Sequence, residues 1–71
     1  MRFFVVKVKD RDLFFNADEM IGEYVCDTPM LLDKEGVESI MKYCDRVHHM
    51  DNDEVFYNHH LEVREAQLTI L

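Results

Sequence analysis

The 71-residue sequence contains one proline, two glycines, two cysteines and no tryptophan. Its two glycines stand far apart, so no glycine-rich loop that could cradle a phosphate is present. Two cysteines, Cys26 and Cys44, are too few for the disulfide framework of a small secreted domain, and no secretory signal is recognisable. No apolar run approaches the length of a membrane span. We therefore expect free thiols, a cytoplasmic location and no membrane association.

Basic residues are scarce as well, with eight lysines and arginines against fifteen aspartates and glutamates and a net charge of -7. Four of the eight basic residues lie in residues 1–11, so the rest of the chain is strongly acidic. Affinity for phosphates comes mainly from Lys and Arg, which makes direct binding to nucleic acid unfavourable. An acidic surface suits a basic protein partner, although solubility explains the same charge equally well.

No linker, repeat or low-complexity tract interrupts the chain, so we predict a single domain over residues 1–71. Alternating apolar residues and polar turns predict strands at Arg2–Lys9, Leu13–Phe15, Ile21–Cys26, Val55–Tyr57 and from Leu61 onwards. In the last of these Leu61 and Val63 share one side, whereas Ala66, Leu68 and Ile70 share the other. This change of side between Arg64 and Gln67 predicts a bulge or bend, or two short strands.

A helix is predicted over Lys34–Arg46, because apolar residues recur at helical spacing along one stripe, namely Val37, Ile40, Met41, Cys44 and Val47. Asp33 is placed as the N-cap that accepts from the free N–H groups of the first turn. The element order is then β-β-β-α-β-β. This order predicts an α+β fold, in which one amphipathic helix packs on one face of an antiparallel sheet of four to five short strands.

One helix covers one face of a sheet, yet the first strand carries Phe3 and Val5 on the face opposite Phe4, Val6 and Val8. Exposed apolar sheet faces often mark interfaces. Two interpretations stay open: loops or the C-terminal segment fold over this face, or it binds a partner. A symmetric homodimer is the commonest form of self-association.

Metal binding is considered because Cys44 and His48 are one helical turn apart in the predicted helix and could share an ion with the doublet His59 and His60. The apolar stripe that contains Cys44 argues for an ordinary buried thiol instead, and neighbouring histidines in a strand point to opposite faces. We therefore predict no metal and no other cofactor; these four residues are the candidate ligands of the metal-binding alternative.

Catalytic chemistry has no recognisable motif in this sequence. No spacing places a cysteine or carboxylate beside a histidine as nucleophile and base, and a domain of this size has little volume for a pocket that excludes water. We predict that the protein is not an enzyme and assign no catalytic residue.

Candidate partner-binding residues are of two kinds. Aromatic side chains can supply the buried area of an interface, and carboxylates can steer a basic partner. The aromatic candidates are Phe3, Phe14, Phe15, Tyr24 and Tyr57. The acidic candidates are Asp18, Glu19, Glu23, Asp51, Asp53 and Glu54. Carboxylates gathered on one side could imitate a row of phosphates and occupy the basic groove of a nucleic-acid enzyme.

The stretch Met30-Leu31-Leu32-Asp33-Lys34-Glu35-Gly36-Val37-Glu38-Ser39-Ile40-Met41, preceded by an apolar hairpin, resembles small proteins of phages and prophages. These include anti-CRISPR proteins and other inhibitors of host enzymes. The resemblance covers the order of elements over residues 1–47, an apolar hairpin followed by a capped helix, and its one motif is the helix start. It implies a compact inhibitor that acts by blocking a host protein, and it carries no binding residue across.

Together these observations favour a small acidic protein-binding module, an inhibitor from a phage or another mobile element that blocks a host protein. Two alternatives stay open. One is a self-associating structural or accessory module whose apolar sheet face forms a dimer. The other is a metal-binding module.

Overall fold

The computed structural model describes residues 2–66, which form six strands and one helix. The elements in chain order are β1 (Phe3–Val8), β2 (Phe14–Asp18), β3 (Gly22–Cys26), α1 (Lys34–Tyr43), β4 (Arg46–His49), β5 (Val55–Tyr57) and β6 (Leu61–Ala66). A single 3-10 turn, Asn58–His60, separates β5 from β6. The α+β class is therefore confirmed. The change of phase predicted between Arg64 and Gln67 is not seen as far as Ala66, because Arg64, Glu65 and Ala66 pair in unbroken register with Val5, Phe4 and Phe3. Gln67, Leu68 and Ile70 lie outside the described residues.

The strands make one mixed sheet in the order β5-β4-β3-β2-β1-β6. All neighbours are antiparallel except β3 and β4, which are parallel. The prediction of four to five strands in an antiparallel sheet was therefore wrong in strand number and in one pairing. Parallel neighbours need a crossover connection, and α1 supplies it between β3 and β4.

The missed strand is β4, which falls partly within the predicted helix. The helix ends at Tyr43, three residues before the predicted end, and Cys44 has an extended backbone with φ -89° and ψ 98°. Val47 fits helical spacing and also points inward from a strand, so periodicity could not separate the two. The start of the helix is as predicted, because Asp33 Oδ1 accepts a 2.7 Å hydrogen bond from the Gly36 N–H.

The core lies between α1 and the concave face of the sheet. Val6 and Val25 have no exposed surface. The other members of this core are Val8, Leu13, Phe15, Cys44, Val47, Phe56 and Leu61. The helix adds half-buried side chains to it, namely Val37, Ile40 and Met41. No helix residue is fully buried, so the strands rather than the helix supply the innermost layer.

The second face of the sheet is partly covered by the segment that follows β3. The Asn16 side-chain amide donates to the Thr28 carbonyl over 3.2 Å, and the Cys26 thiol donates to the same carbonyl over 3.4 Å. Phe3 and Phe14 on this face are half-buried. Of the two interpretations of this face, coverage by a loop therefore accounts for part of its apolar surface.

The sheet curls so that its two outer strands come together at one end. The turn that joins β5 to β6 has three residues, and three residues span at most about 10 Å. The Lys9 N–H donates to the His60 carbonyl over 2.8 Å, which attaches this turn to the end of β1. Within residues 2–66, no helix is long and apolar enough to cross a membrane.

Candidate protein-binding surface

An ion pair between distant parts of the chain joins two loops at one end of the sheet. Arg11 lies in the turn after β1, and its guanidinium donates to both carboxylate oxygens of Glu54 over 2.8 and 3.1 Å. Glu54 ends the loop between β4 and β5. The hydrogen bond lowers the pKa of the Glu54 carboxyl below its ordinary value and raises the pKa of Arg11. The loop that carries Asp51 and Asp53 is thereby braced against the first hairpin.

The remaining acidic candidates lie at the other end of the sheet. In the β2–β3 hairpin, Phe14 is opposite Cys26 and Asp18 is opposite Gly22, so Asp18, Glu19 and Glu23 are near the far turn. Because β4 runs parallel to β3, the loop after β4 is at the Cys26 end. The structure therefore does not bring the two groups of carboxylates into one row.

Most of the aromatic candidates are not exposed. Phe15 is 3% exposed and belongs to the core, and Tyr24 is 8% exposed on the second face. The expectation that these two rings are available to a partner is wrong, because Phe15 points into the core and Tyr24 lies on a central strand of the sheet. Phe3 and Phe14 are half-buried. Tyr57, at 48%, is the one aromatic candidate with an exposed ring.

Tyr57 belongs to a surface that combines apolar and acidic side chains. We call it the β5 surface and define it by Met50, Asp51, Asp53, Val55 and Tyr57. Val55 and Tyr57 are on the same side of β5, opposite the buried Phe56, and they are 42% and 48% exposed. The Tyr57 ring lies parallel to the His59 ring, with centroids 6.1 Å apart. Met50 is 47% exposed at the start of the acidic loop.

The two loop carboxylates of this surface are free to meet a partner. Among the ion pairs found within residues 2–66, Glu54 is held by Arg11, whereas Asp51 and Asp53 take part in none. A shallow pocket of about 320 Å³ lies beside Val55 and is lined by Arg46, Val47, His48 and Val55. The β5 surface therefore offers exposed apolar groups and, within residues 2–66, carboxylates without an ion-pair partner, with a depression beside Val55.

The metal candidates do not converge. Cys44 is a core residue at the end of α1, whereas His48 is exposed on β4, so the helical turn expected to join them does not exist. The rings of His59 and His60 are side by side with centroids 4.0 Å apart, because their turn is a 3-10 helix and not a strand. In the part of the chain that the structure describes, no three His, Cys, Asp or Glu side chains are placed to hold a metal ion.

The Cys44 thiol has the environment of a structural side chain. It donates to the Arg46 carbonyl over 3.4 Å, and burial raises the pKa of this thiol, with a smaller contribution from the nearby Glu23 carboxylate. A thiol reacts as a nucleophile through its thiolate, which these surroundings disfavour.

Three residues of this region were not singled out from the sequence. In the sequence Arg11 is one more basic residue near the N-terminus, and its partner 43 positions away cannot be inferred from spacing. Met50 directly precedes the polar residues Asp51–Glu54 and carries no signal of its own in the sequence. Val55 could have been found, because strand alternation places it on the same side as Tyr57 once Phe56 is assigned to the core.

No family model, no curated protein and no solved structure matches this chain.

Proposed function

We propose that the protein is a protein-binding module that engages a basic partner protein through the β5 surface. The observation that carries this proposal is that Asp51 and Asp53, which form no ion pair within residues 2–66, lie in the loop that leads directly into the exposed Val55 and Tyr57 of β5. Buried aromatic anchors supply most of the binding energy at interfaces. Complementary charges raise the association rate and reject partners of the wrong sign.

The rigidity of this surface supports the same proposal. Arg11 fixes the end of the acidic loop with two hydrogen bonds, and its guanidinium also lies 5.4 Å above the ring of Phe56. The pair restrains the end of the loop that carries Asp51 and Asp53. A preorganised loop loses less conformational entropy on binding than a free one.

The biological role that fits such a module is inhibition. A partner whose basic groove accepts nucleic acid would be blocked when the Asp51 and Asp53 carboxylates occupy part of that groove, as in inhibitors encoded by phages and mobile elements. The net charge of -7 adds long-range attraction to any such groove. We assign no catalytic residue and no cofactor to this activity.

A second acidic and apolar surface, the β2–β3 turn, competes for the same role. It carries Glu19 beside Met20 and Ile21, which are 95% and 49% exposed. It has no aromatic anchor, and the Asp18 carboxylate is already occupied by the N–H groups of Met20 and Ile21. We therefore favour the β5 surface.

The test is affinity capture from a bacterial lysate with four immobilised proteins: wild type, D53K, Y57A and E19K. Bound proteins are eluted by rising salt and identified by mass spectrometry. We expect one protein that wild type and E19K retain, that D53K and Y57A lose, and that salt releases. Asp53 and Glu19 are both exposed loop carboxylates, so the two lysine variants change net charge equally.

Two results would overturn the proposal. If E19K loses the captured protein and D53K retains it, the partner binds at the β2–β3 turn and not at the β5 surface. Retention by all three variants would show that neither surface carries the interaction.

A further inference from the structure

We infer that two copies of this chain pair antiparallel through β6 and so extend the sheet across a twofold axis at Val63. This inference is independent of the β5 surface, which belongs to the opposite edge of the sheet. In the part of the chain that the structure describes, β6 pairs with β1 on one side and with no strand on the other. Unpaired strand edges are templates for pairing with another chain.

The backbone groups on the free side of β6 can be assigned from those of β1. Phe4 exchanges two hydrogen bonds with Leu32, over 2.7 and 2.8 Å, on the side of β1 away from β6. Glu65 is opposite Phe4 in the β1–β6 pair, and Val63 is two residues earlier. Since antiparallel pairs alternate between bonded and non-bonded positions, Val63 and Glu65 direct their N–H and C=O groups to the free edge.

The charges of β6 select one register for self-pairing. Glu62 and Arg64 are on the same face of the strand, and their side chains are 3.4 Å apart within one chain. A twofold axis at Glu62 would put two glutamates opposite each other, and an axis at Arg64 would do the same to two arginines. With the axis at Val63, each Glu62 is opposite the Arg64 of the second copy. Opposite charges in this position stabilise a strand pair and like charges destabilise it.

The same register uses the outward backbone groups. The two Val63 residues exchange N–H and C=O groups across the axis, and each Glu65 N–H reaches the Leu61 carbonyl of the second copy. The Leu61 N–H is already used, because it donates to the Asn58 carbonyl, so the pairing stops where the 3-10 turn begins. The two copies thus form four backbone hydrogen bonds with each other in the register that the charges of β6 favour.

Apolar surface at the edge favours a second copy as well. Val63 is 38% exposed on the side of the sheet that faces α1. Beside it is a groove of about 600 Å³, lined by Phe4, Val37 and Val63 together with Arg2 and polar side chains around the start of the helix. In the proposed pair the two Val63 side chains adjoin each other at the axis and remove this apolar surface from water.

Sedimentation equilibrium and amide exchange of the wild-type protein test the pairing directly. We expect a mass of twice the 8.5 kDa of one chain. The N–H groups of Val63 and Glu65 should exchange as slowly as those in the middle of the sheet. A mass of one chain at millimolar concentration, with fast exchange at both positions, would overturn the inference.

Two variants test the edge and the register separately. V63P removes an outward N–H and leaves the β1–β6 bonds in place, as proline permits on an edge strand, so we expect a folded monomer. The matched control is V55P, which removes an outward N–H from β5 and should stay dimeric. R64E changes no backbone group. It places a glutamate at position 64 opposite Glu62 of the second copy, once on each side of the axis. This repulsion should raise the dimer dissociation constant about tenfold or more.

If V63P does not fold, R64E and the exchange data decide the question. A folded V63P that remains dimeric overturns pairing through β6. An R64E protein that dimerises as tightly as wild type overturns the register centred on Val63.

Discussion

Arg11 and Glu54 are 43 residues apart in the chain and form a two-point hydrogen-bonded ion pair at 2.8 and 3.1 Å. The pair ties the turn after β1 to the loop after β4, although these strands are not neighbours in the sheet. It is half-exposed, with 45% and 40% of the two side chains accessible. Its main effect is therefore to position the loop of the β5 surface, since exposed ion pairs add little stability.

The first prediction concerns the pH dependence of this pair. The hydrogen bond from Arg11 lowers the folded-state pKa of Glu54, so its contribution to stability is present above the ordinary glutamate pKa. It is lost as the pH falls through the lowered value. Urea unfolding of wild type and E54Q should show wild type more stable at neutral pH, with the difference disappearing in acid. The control E19Q, at an exposed turn, should have the unfolding free energy of wild type at every pH. A stability difference between wild type and E54Q that does not change with pH would contradict the prediction.

The second prediction separates the two aromatic residues that the sequence placed in one class. Phe15→Ala should lower the free energy of unfolding by about 3–5 kcal/mol, because it opens a cavity in the core. Tyr57→Ala should lower it by less than about 1 kcal/mol, because the ring is half-exposed. Denaturant titration of both variants measures the contrast. A loss of unfolding free energy for Phe15→Ala as small as that expected for Tyr57→Ala would mean that Phe15 is not a core residue.

The third prediction concerns Asn58, which closes the C-terminal end of α1. Its side-chain amide donates to the carbonyls of Met41 and Cys44, both over 3.0 Å. Asn58→Ala leaves these two acceptors without their donor and should cost about 1–3 kcal/mol. Asn58→Asp should cost more, because a carboxylate accepts and cannot donate. The control is Asn52→Ala in the exposed loop, and an equally large loss there would contradict this assignment.

The fourth prediction is the reactivity of the cysteines. Burial raises the pKa of the Cys44 thiol, and both Cys26 and Cys44 are free and buried. A soluble thiol reagent should therefore modify Cys44 slowly in the folded protein and rapidly in denaturant. Mass spectrometry of peptides after timed alkylation measures each site separately. Rapid modification of Cys44 without unfolding would contradict its place in the core.

Part of the fold was predictable because it depends on neighbours in the chain. The N-cap at Asp33 needs only the N–H of Gly36 three residues later. The inward positions of Val6 and Val8 follow from strand alternation, and so does the break after Tyr57, where a 3-10 turn begins. Local hydrogen bonding and side-chain periodicity determine such features, and both can be read from a short window of sequence.

The exposure of the candidate site residues could not be read in this way. Tyr24 and Tyr57 both occur in alternating strand segments, yet one is 8% and the other 48% exposed. The difference arises because β3 lies inside the sheet and β5 lies at its edge. Strand order depends on contacts between distant segments, and no local pattern encodes it.

The sequence by itself determined the α+β class, the acidic charge and the start of the helix, since composition and short-range contacts suffice for these. The tertiary structure decided where α1 ends, because Asn58 binds the last helix carbonyls from a distant turn. It also decided that residues after Tyr43 join the sheet beside β3 and that Arg11 meets Glu54. These are contacts between residues far apart in the chain, and the free energy of the packed sheet selects them over the local preferences of each segment.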